Sequence, residues 1–140
     1  MDSKKEFNGD WCVILGGSSG LGLATAKKLA AHGMNICIVH RDRKSNLPKL
    51  TNETSEMIAG GAEVLTFNVD ALKGDSIDKV IAAMVNKPVK LLLHSIAKGS
   101  VKTMYPSENS LSKDDFEITT NAMGTSWYIW TQALIKNKLF

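Results

Sequence analysis

Two hydrophobic periods alternate along this chain. Short apolar runs at Trp11 to Leu15, Asn35 to Val39, Ala62 to Asn68 and Lys90 to Ser95 predict strands, and between them apolar residues recur at the three- and four-residue steps of helices. Those helices fall at Gly20 to Ala31, near Lys49 to Ala59 and at Ile77 to Val85, with a long fourth one beginning near Lys113. In the first, Leu21, Leu23, Ala24, Ala26, Leu29 and Ala30 gather mostly on one face while Lys27 and Lys28 face solvent, the pattern of a helix laid on a sheet. Punctuation agrees: Gly33 suits the position just past the first helix, Gly60-Gly61 ends the second, and Ser112 with Asp115 makes the S-x-x-D start of the last. Regular strand-helix alternation implies right-handed crossovers between parallel strands, so the predicted fold is α/β, a doubly wound parallel sheet with helices on both faces. One long connection, Lys98 to Ser112, has the size of a loop that serves function or moves, and its Met104, Tyr105 and Pro106 point to an apolar ligand.

Chemistry enters at Leu15-Gly16-Gly17-Ser18-Ser19-Gly20-Leu21-Gly22, which joins the first strand to the first helix. Free backbone N–H groups and the positive end of a helix dipole meet an anion best where glycine lets the backbone come close, so this turn is a place to hold a phosphate. The glycines fall as G-x-x-x-G-x-G rather than G-x-G-x-x-G, and Gly16, Ser18, Ser19, Gly20, Leu21 and Gly22 are the candidate cradle. The second strand runs into His40-Arg41-Asp42, with Arg41 standing 19 residues beyond Gly22. Dinucleotide folds test the adenosine ribose about there, an acid accepting the 2′-OH and an Arg suiting a 2′-phosphate. A strand end without an acid and with Arg41 next to it reads as NADP(H) over NAD(H). The plain alternative is a loop of glycines and a solvated arginine.

Composition narrows the classes. With 140 residues and 44% hydrophobic content the chain buries one core, one domain spanning residues 1–140. A net charge of +3, with Lys and Arg scattered, speaks against nucleic acid. Acids in Met1-Asp2-Ser3-Lys4-Lys5-Glu6 and the absence of a long apolar run argue against a signal peptide or membrane span, and imply a cytoplasmic protein. Cys12 and Cys37 in the first two strands read as small buried hydrophobes, and the three histidines are too dispersed for a metal site.

The glycine turn, the strand-three end Phe67-Asn68-Val69-Asp70, and Asn121-Ala122-Met123-Gly124 together resemble the short-chain dehydrogenase/reductase family over nearly the whole chain. The resemblance implies a Rossmann fold, nicotinamide chemistry and oligomers paired through the last helix. It implies that Asn68 with Val69 contacts adenine, although the family has Asp at the former. It also implies that Asn121 is the family's catalytic Asn. The family's Asn-Asn-Ala-Gly is replaced by His94-Ser95-Ile96-Ala97, which is similar to the His-Ser-Ile segment of the enoyl-acyl-carrier-protein reductase branch, where Ser95, Ile96 and Ala97 would lie beside the cofactor. That branch implies fatty acid biosynthesis and an acyl thioester on a carrier protein. His94 and Ser95 equally suit the end of a buried strand, Asn121 suits a polar helix position, and Trp127, Tyr128 and Trp130 suit core or a subunit contact.

The family's Tyr-x-x-x-Lys pair is absent: four residues beyond Tyr105 and Tyr128 stand Asn109 and Gln132. The resemblance therefore implies the cofactor-binding half of a reductase, an incomplete sheet of order 3-2-1-4, with the apolar fourth strand as an edge that invites association. A non-catalytic NADP(H)-binding or sensing module is the alternative function.

Overall fold

The computed structural model describes residues 6–105 and 108–140. Four parallel strands, β1 (Trp11–Leu15), β2 (Asn35–His40), β3 (Val64–Asn68) and β4 (Val89–His94), form one sheet in the order β3-β2-β1-β4. Three helices connect them: α1 (Gly20–Ala31), α2 (Leu47–Ala59), which follows a single 3-10 turn, and α3 (Gly74–Ala83). The chain then runs through the Lys98 to Ser112 connection into α4 (Lys113–Thr120), a π-turn at Asn121–Thr125, and α5 (Ser126–Lys136).

Every residue of β1 and β2 is buried, because both strands are covered on both faces. Cys12, Ile14, Ile36 and Ile38 face α1 and α2, packing on Leu23, Ala26, Ala30, Leu50 and Met57. Val13, Leu15, Cys37 and Val39 face the other way, onto Ile77, Val80 and Ile81 of α3 and Trp130 and Leu134 of α5. The two cysteines thus lie in opposite halves of the core, free and unbonded, and burial pushes both thiols up to about 12.

The local departures from expectation have physical causes. β3 starts at Val64 rather than Ala62, because Gly61 at φ +95° and the bond from Ala62 N–H to Met57 C=O use those residues to close α2. α3 begins three residues earlier than expected, at Gly74, and β4 stops at His94, although the Ser95 N–H still donates to Leu15 C=O at 2.7 Å. Leu21 and Ala24 do not join the packed face of α1; Leu21 is 83% exposed, since at 3.6 residues per turn it points away from the side that carries Leu23, Ala26 and Ala30. The last helix is not one regular helix, a point that composition and period did not foretell. Its start is as expected: the Ser112 hydroxyl accepts the Asp115 N–H while the Asp115 carboxylate accepts the Ser112 N–H.

Candidate functional site: a cleft at the strand switch

β1 is followed in space by β2 on one side and β4 on the other, so the chain leaves β1 at the point where the winding reverses. Loops diverge at such a point and leave a crevice at the carboxyl ends of the strands. Here it is an open cleft of about 430 Å³. Its wall is made by Gly16, Ser18 and Ser19 from the glycine turn, by residues 39–42 at the end of β2, by residues 69–72 after β3, and by residues 95–98 after β4. Nine of the expected site residues therefore meet in one place: Gly16, Ser18, Ser19, His40, Arg41, Val69, Ser95, Ile96 and Ala97.

The glycines divide by cause. A Cβ on Gly16, whose φ is +83°, would stand 2.3 Å from the Ser95 carbonyl oxygen, and one on Gly22 would stand 2.2 Å from that of Gly16. Both are needed for the turn to pack on itself and on the end of β4. Gly20 differs, because its φ of +53° is left-handed but a Cβ there would meet nothing within 4 Å. Beside that open space α1 begins on Ser19 without any side-chain cap and without an acid in its first turn, whereas α4 has a full capping box. An uncapped helix start with open room in front of it fits the pyrophosphate of a dinucleotide. Gly20, Leu21 and Gly22 do not line the cleft itself; they form the turn that borders it.

At the β2 and β3 ends the polar groups are tied to one another. Arg41 Nη1 donates to Asp70 Oδ2 at 3.0 Å, with the arginine side chain 65% exposed. Asp70 Oδ1 accepts the Leu72 N–H at 3.0 Å. That backbone bond first, and then the Arg41 guanidinium and the Lys98 ammonium, hold the Asp70 carboxyl below the usual carboxylate range. Asp42 lines the cleft as well, its Oδ2 lying 2.9 Å from Nδ1 of the buried His40. Asn68 does not line the cleft. Its amide spans the two strand ends, Oδ1 accepting the Asp42 N–H and Nδ2 donating to the Asp42 C=O, each at 3.1 Å. Val69 is the member of that pair that faces the cleft.

Two further groups tie the last helix to the cleft. The indole N–H of Trp130 donates to the Ala71 C=O at 2.9 Å, and His94 Nε2 lies 2.8 Å from Ser126 Oγ, which donates to the Ala122 C=O. Trp130 is core, while Trp127 and Tyr128 are about half exposed. Asn121 opens the π-turn, exposed, over a shallow depression with Phe116 and Thr125, and is not among the residues of the cleft. π-turns recur at functional sites, but no residue type marks one in a sequence. Met104 and Tyr105 are exposed and likewise off the cleft, and Pro106 lies outside the described residues. Among the described residues no cluster of metal-ligating side chains occurs, and no helix is long and apolar enough to cross a membrane.

Known proteins are similar to this chain in sequence and in fold. The chain is 32% identical over 90 residues to the very-long-chain 3-oxoacyl-CoA reductase of Meyerozyma guilliermondii, and 31% over 88 residues to that of Bos taurus, matches that cover 64% and 63% of this chain. They cover only 26% and 27% of those proteins, so the chain spans about a quarter of the length of these curated relatives. Among solved structures, L-sorbose reductase from Gluconobacter frateurii, complexed with NADPH and L-sorbose, superposes with a TM-score of 0.78 at 22% identity over 96% of this chain and 49% of that one. NADH-dependent reductase A1-R′, complexed with NAD, superposes at 0.75 and 18% identity over 95% of this chain and 53% of that one. These structures share the parallel-sheet fold. The family model described as short chain dehydrogenase matches residues 10–138, and this chain belongs to that family.

Proposed function

We propose that this chain is the dinucleotide-binding part of an NADP(H)-dependent reductase, and that the whole protein reduces the carbonyl of a small molecule, an acyl thioester being the favoured class. The observation that carries the reading is the cleft itself: an uncapped helix start, a glycine turn with open space at Gly20, and an arginine at the end of β2, converging at the strand switch. The bound nicotinamide would supply the hydride. This chain's own residues would hold and orient it. Backbone N–H groups of Ser18 to Gly22 would receive the pyrophosphate, Arg41 the 2′-phosphate, Val69 the adenine face, and Ser95 to Ala97 the nicotinamide ribose.

The choice of NADP(H) rests on Arg41 and on Asp42, whose carboxylate is already tied to the buried His40. The structural neighbours divide between the two cofactors, L-sorbose reductase holding NADPH and reductase A1-R′ holding NAD, so the fold is neutral on the point. That the curated relatives are 3-oxoacyl-CoA reductases favours a keto over an enoyl group. The exposed apolar residues Trp127, Tyr128 and Ile129 of α5 supply a contact surface for a homo-oligomer. Two free buried cysteines fit a reducing cytoplasm.

The test is a titration of the 140-residue chain with NADPH and NADH, followed by nicotinamide fluorescence, with turnover of 3-oxoacyl and crotonyl thioesters assayed alongside. Saturable binding that prefers NADPH is expected, and no binding to a chain shown to be folded would overturn the reading. Arg41→Asp should weaken NADPH at least tenfold more than NADH; equal losses would remove Arg41 from its role. The second reading is a sensing module without catalysis, and turnover by the whole protein decides against it.

A further inference from the structure

The cleft holds one arginine and two carboxylates at its adenosine end, and both carboxylates already have partners. Asp42 is tied to His40, whereas Asp70 is tied to the residue that the 2′-phosphate needs. We infer that Asp70 is a specificity-determining residue that occupies Arg41 in the free protein and so weakens the preference for the 2′-phosphorylated cofactor. The inference rests on the dinucleotide reading of the cleft.

Fixed and mobile partners are easy to tell apart. Asp70 is anchored at its other oxygen by the Leu72 N–H at 3.0 Å, and its side chain is only 23% exposed. Arg41 is 65% exposed and makes a single contact to the carboxylate through Nη1. A one-point contact on a long exposed side chain restrains the guanidinium little, so Asp70 does not act mainly by pre-orienting it. What it does contribute is charge. A 2′-phosphate drawn to Arg41 arrives beside a fixed carboxylate, meets its repulsion and competes with it for the same donors. A 2′-hydroxyl carries no such charge, so NADH is nearly indifferent to Asp70. Lys98, on the far wall, lies near enough to act on Asp70 too, but it comes from the β4 side and is not bonded to it.

Asp70→Asn tests this directly, because Asn keeps an oxygen for the Leu72 N–H and removes only the charge. Affinities are measured for NADPH, NADH, 2′,5′-ADP and 5′-AMP against the wild-type chain, Asp70→Asn, Arg41→Gln and the double variant, with Asp70→Ser as a second charge-removing form and circular dichroism as the check on folding. Asp70→Asn is expected to bind NADPH and 2′,5′-ADP about three- to tenfold more tightly while NADH and 5′-AMP change less than about twofold, and the gain should vanish beside Arg41→Gln. Unchanged or weaker 2′,5′-ADP binding by folded Asp70→Asn and Asp70→Ser would overturn the inference and leave the dinucleotide reading standing. So would a gain that is equal for NADH, or one that survives Arg41→Gln. Failure of the folded wild-type chain to bind any of the four would overturn both.

Discussion

Gly16 and Gly20 are a few residues apart and carry different consequences for the same substitution. Gly16→Ala drives a methyl group to 2.3 Å from the Ser95 carbonyl oxygen at a left-handed φ, so it should cost about 3 kcal/mol or more and show as an unfolded or sharply less stable chain in urea. Gly20→Ala meets open space and should cost only about 1–2 kcal/mol of backbone strain, leaving a folded protein whose dinucleotide affinity falls by a larger factor than its stability. Equal losses of folding in both would show that the turn, and not a ligand, requires Gly20. Carboxylates make a second residue-scale prediction. Asp70 and Asp115 are both held below the usual carboxylate range, Asp115 by the hydroxyl of Ser100, the Lys102 ammonium and Ser112. A depressed folded value means that their stabilising effect is complete above the unfolded value near about 4 and is lost as pH falls towards the folded values. The urea midpoint should therefore drop between pH 5 and pH 3, and Asp115→Asn should flatten part of that drop. The glycine spacing and Arg41 were legible in the sequence. The partners of Arg41 and Asn68 were not, because both pairings span the crossover between β2 and β3 and leave no mark in local pattern.

At the scale of elements, period and punctuation carried far. All four strands and their helices were readable from apolar spacing, and Gly33, Gly61 and the Ser112–Asp115 box stood where a helix must begin or end. Ser112→Ala removes a cap whose hydroxyl accepts the Asp115 N–H, and should lower stability by about 1 kcal/mol in a denaturant titration. No loss would mean that Asp115, through Lys102 and Ser100, anchors α4 alone. The π-turn escaped prediction for a physical reason: it adds one residue to a single turn and so perturbs a 3.6-residue period too briefly to register. Leu21 misled in the opposite direction, since helical spacing sets it near Leu29 but opposite Ala30, and it is Ala30's side that meets the sheet. The His94–Ser126 bond then sets the start of α5 against the end of β4, and Ser126→Ala should loosen that junction by about 1 kcal/mol.

The whole molecule is a half-covered sheet. β1 and β2 are sealed on both faces, whereas Leu91, Leu92 and Leu93 of β4 are only partly buried and the strand pairs on one side alone. An apolar edge with unpaired backbone groups recruits another strand, so the 140-residue chain should self-associate, and a monodisperse monomer in light scattering at working concentration would count against that. The connection between the strand edge and the cleft runs through α5. Trp130→Phe removes the donor to Ala71 and should cost about 2 kcal/mol while also weakening NADPH, because Ala71 belongs to the cleft; an unaltered affinity would separate the two.

That buried indole makes the protein its own optical probe. Trp130 is wholly shielded from solvent, and its nitrogen is bonded to a carbonyl in the cleft wall. A reduced nicotinamide dinucleotide absorbs where tryptophan emits, so excitation of this ring should be drained into a bound cofactor without any label. Trp127, half open to water on the outer face, would respond to quenchers instead, and with the other buried indole, Trp11, replaced by Phe, the two signals together would separate filling of the cleft from contact with another chain.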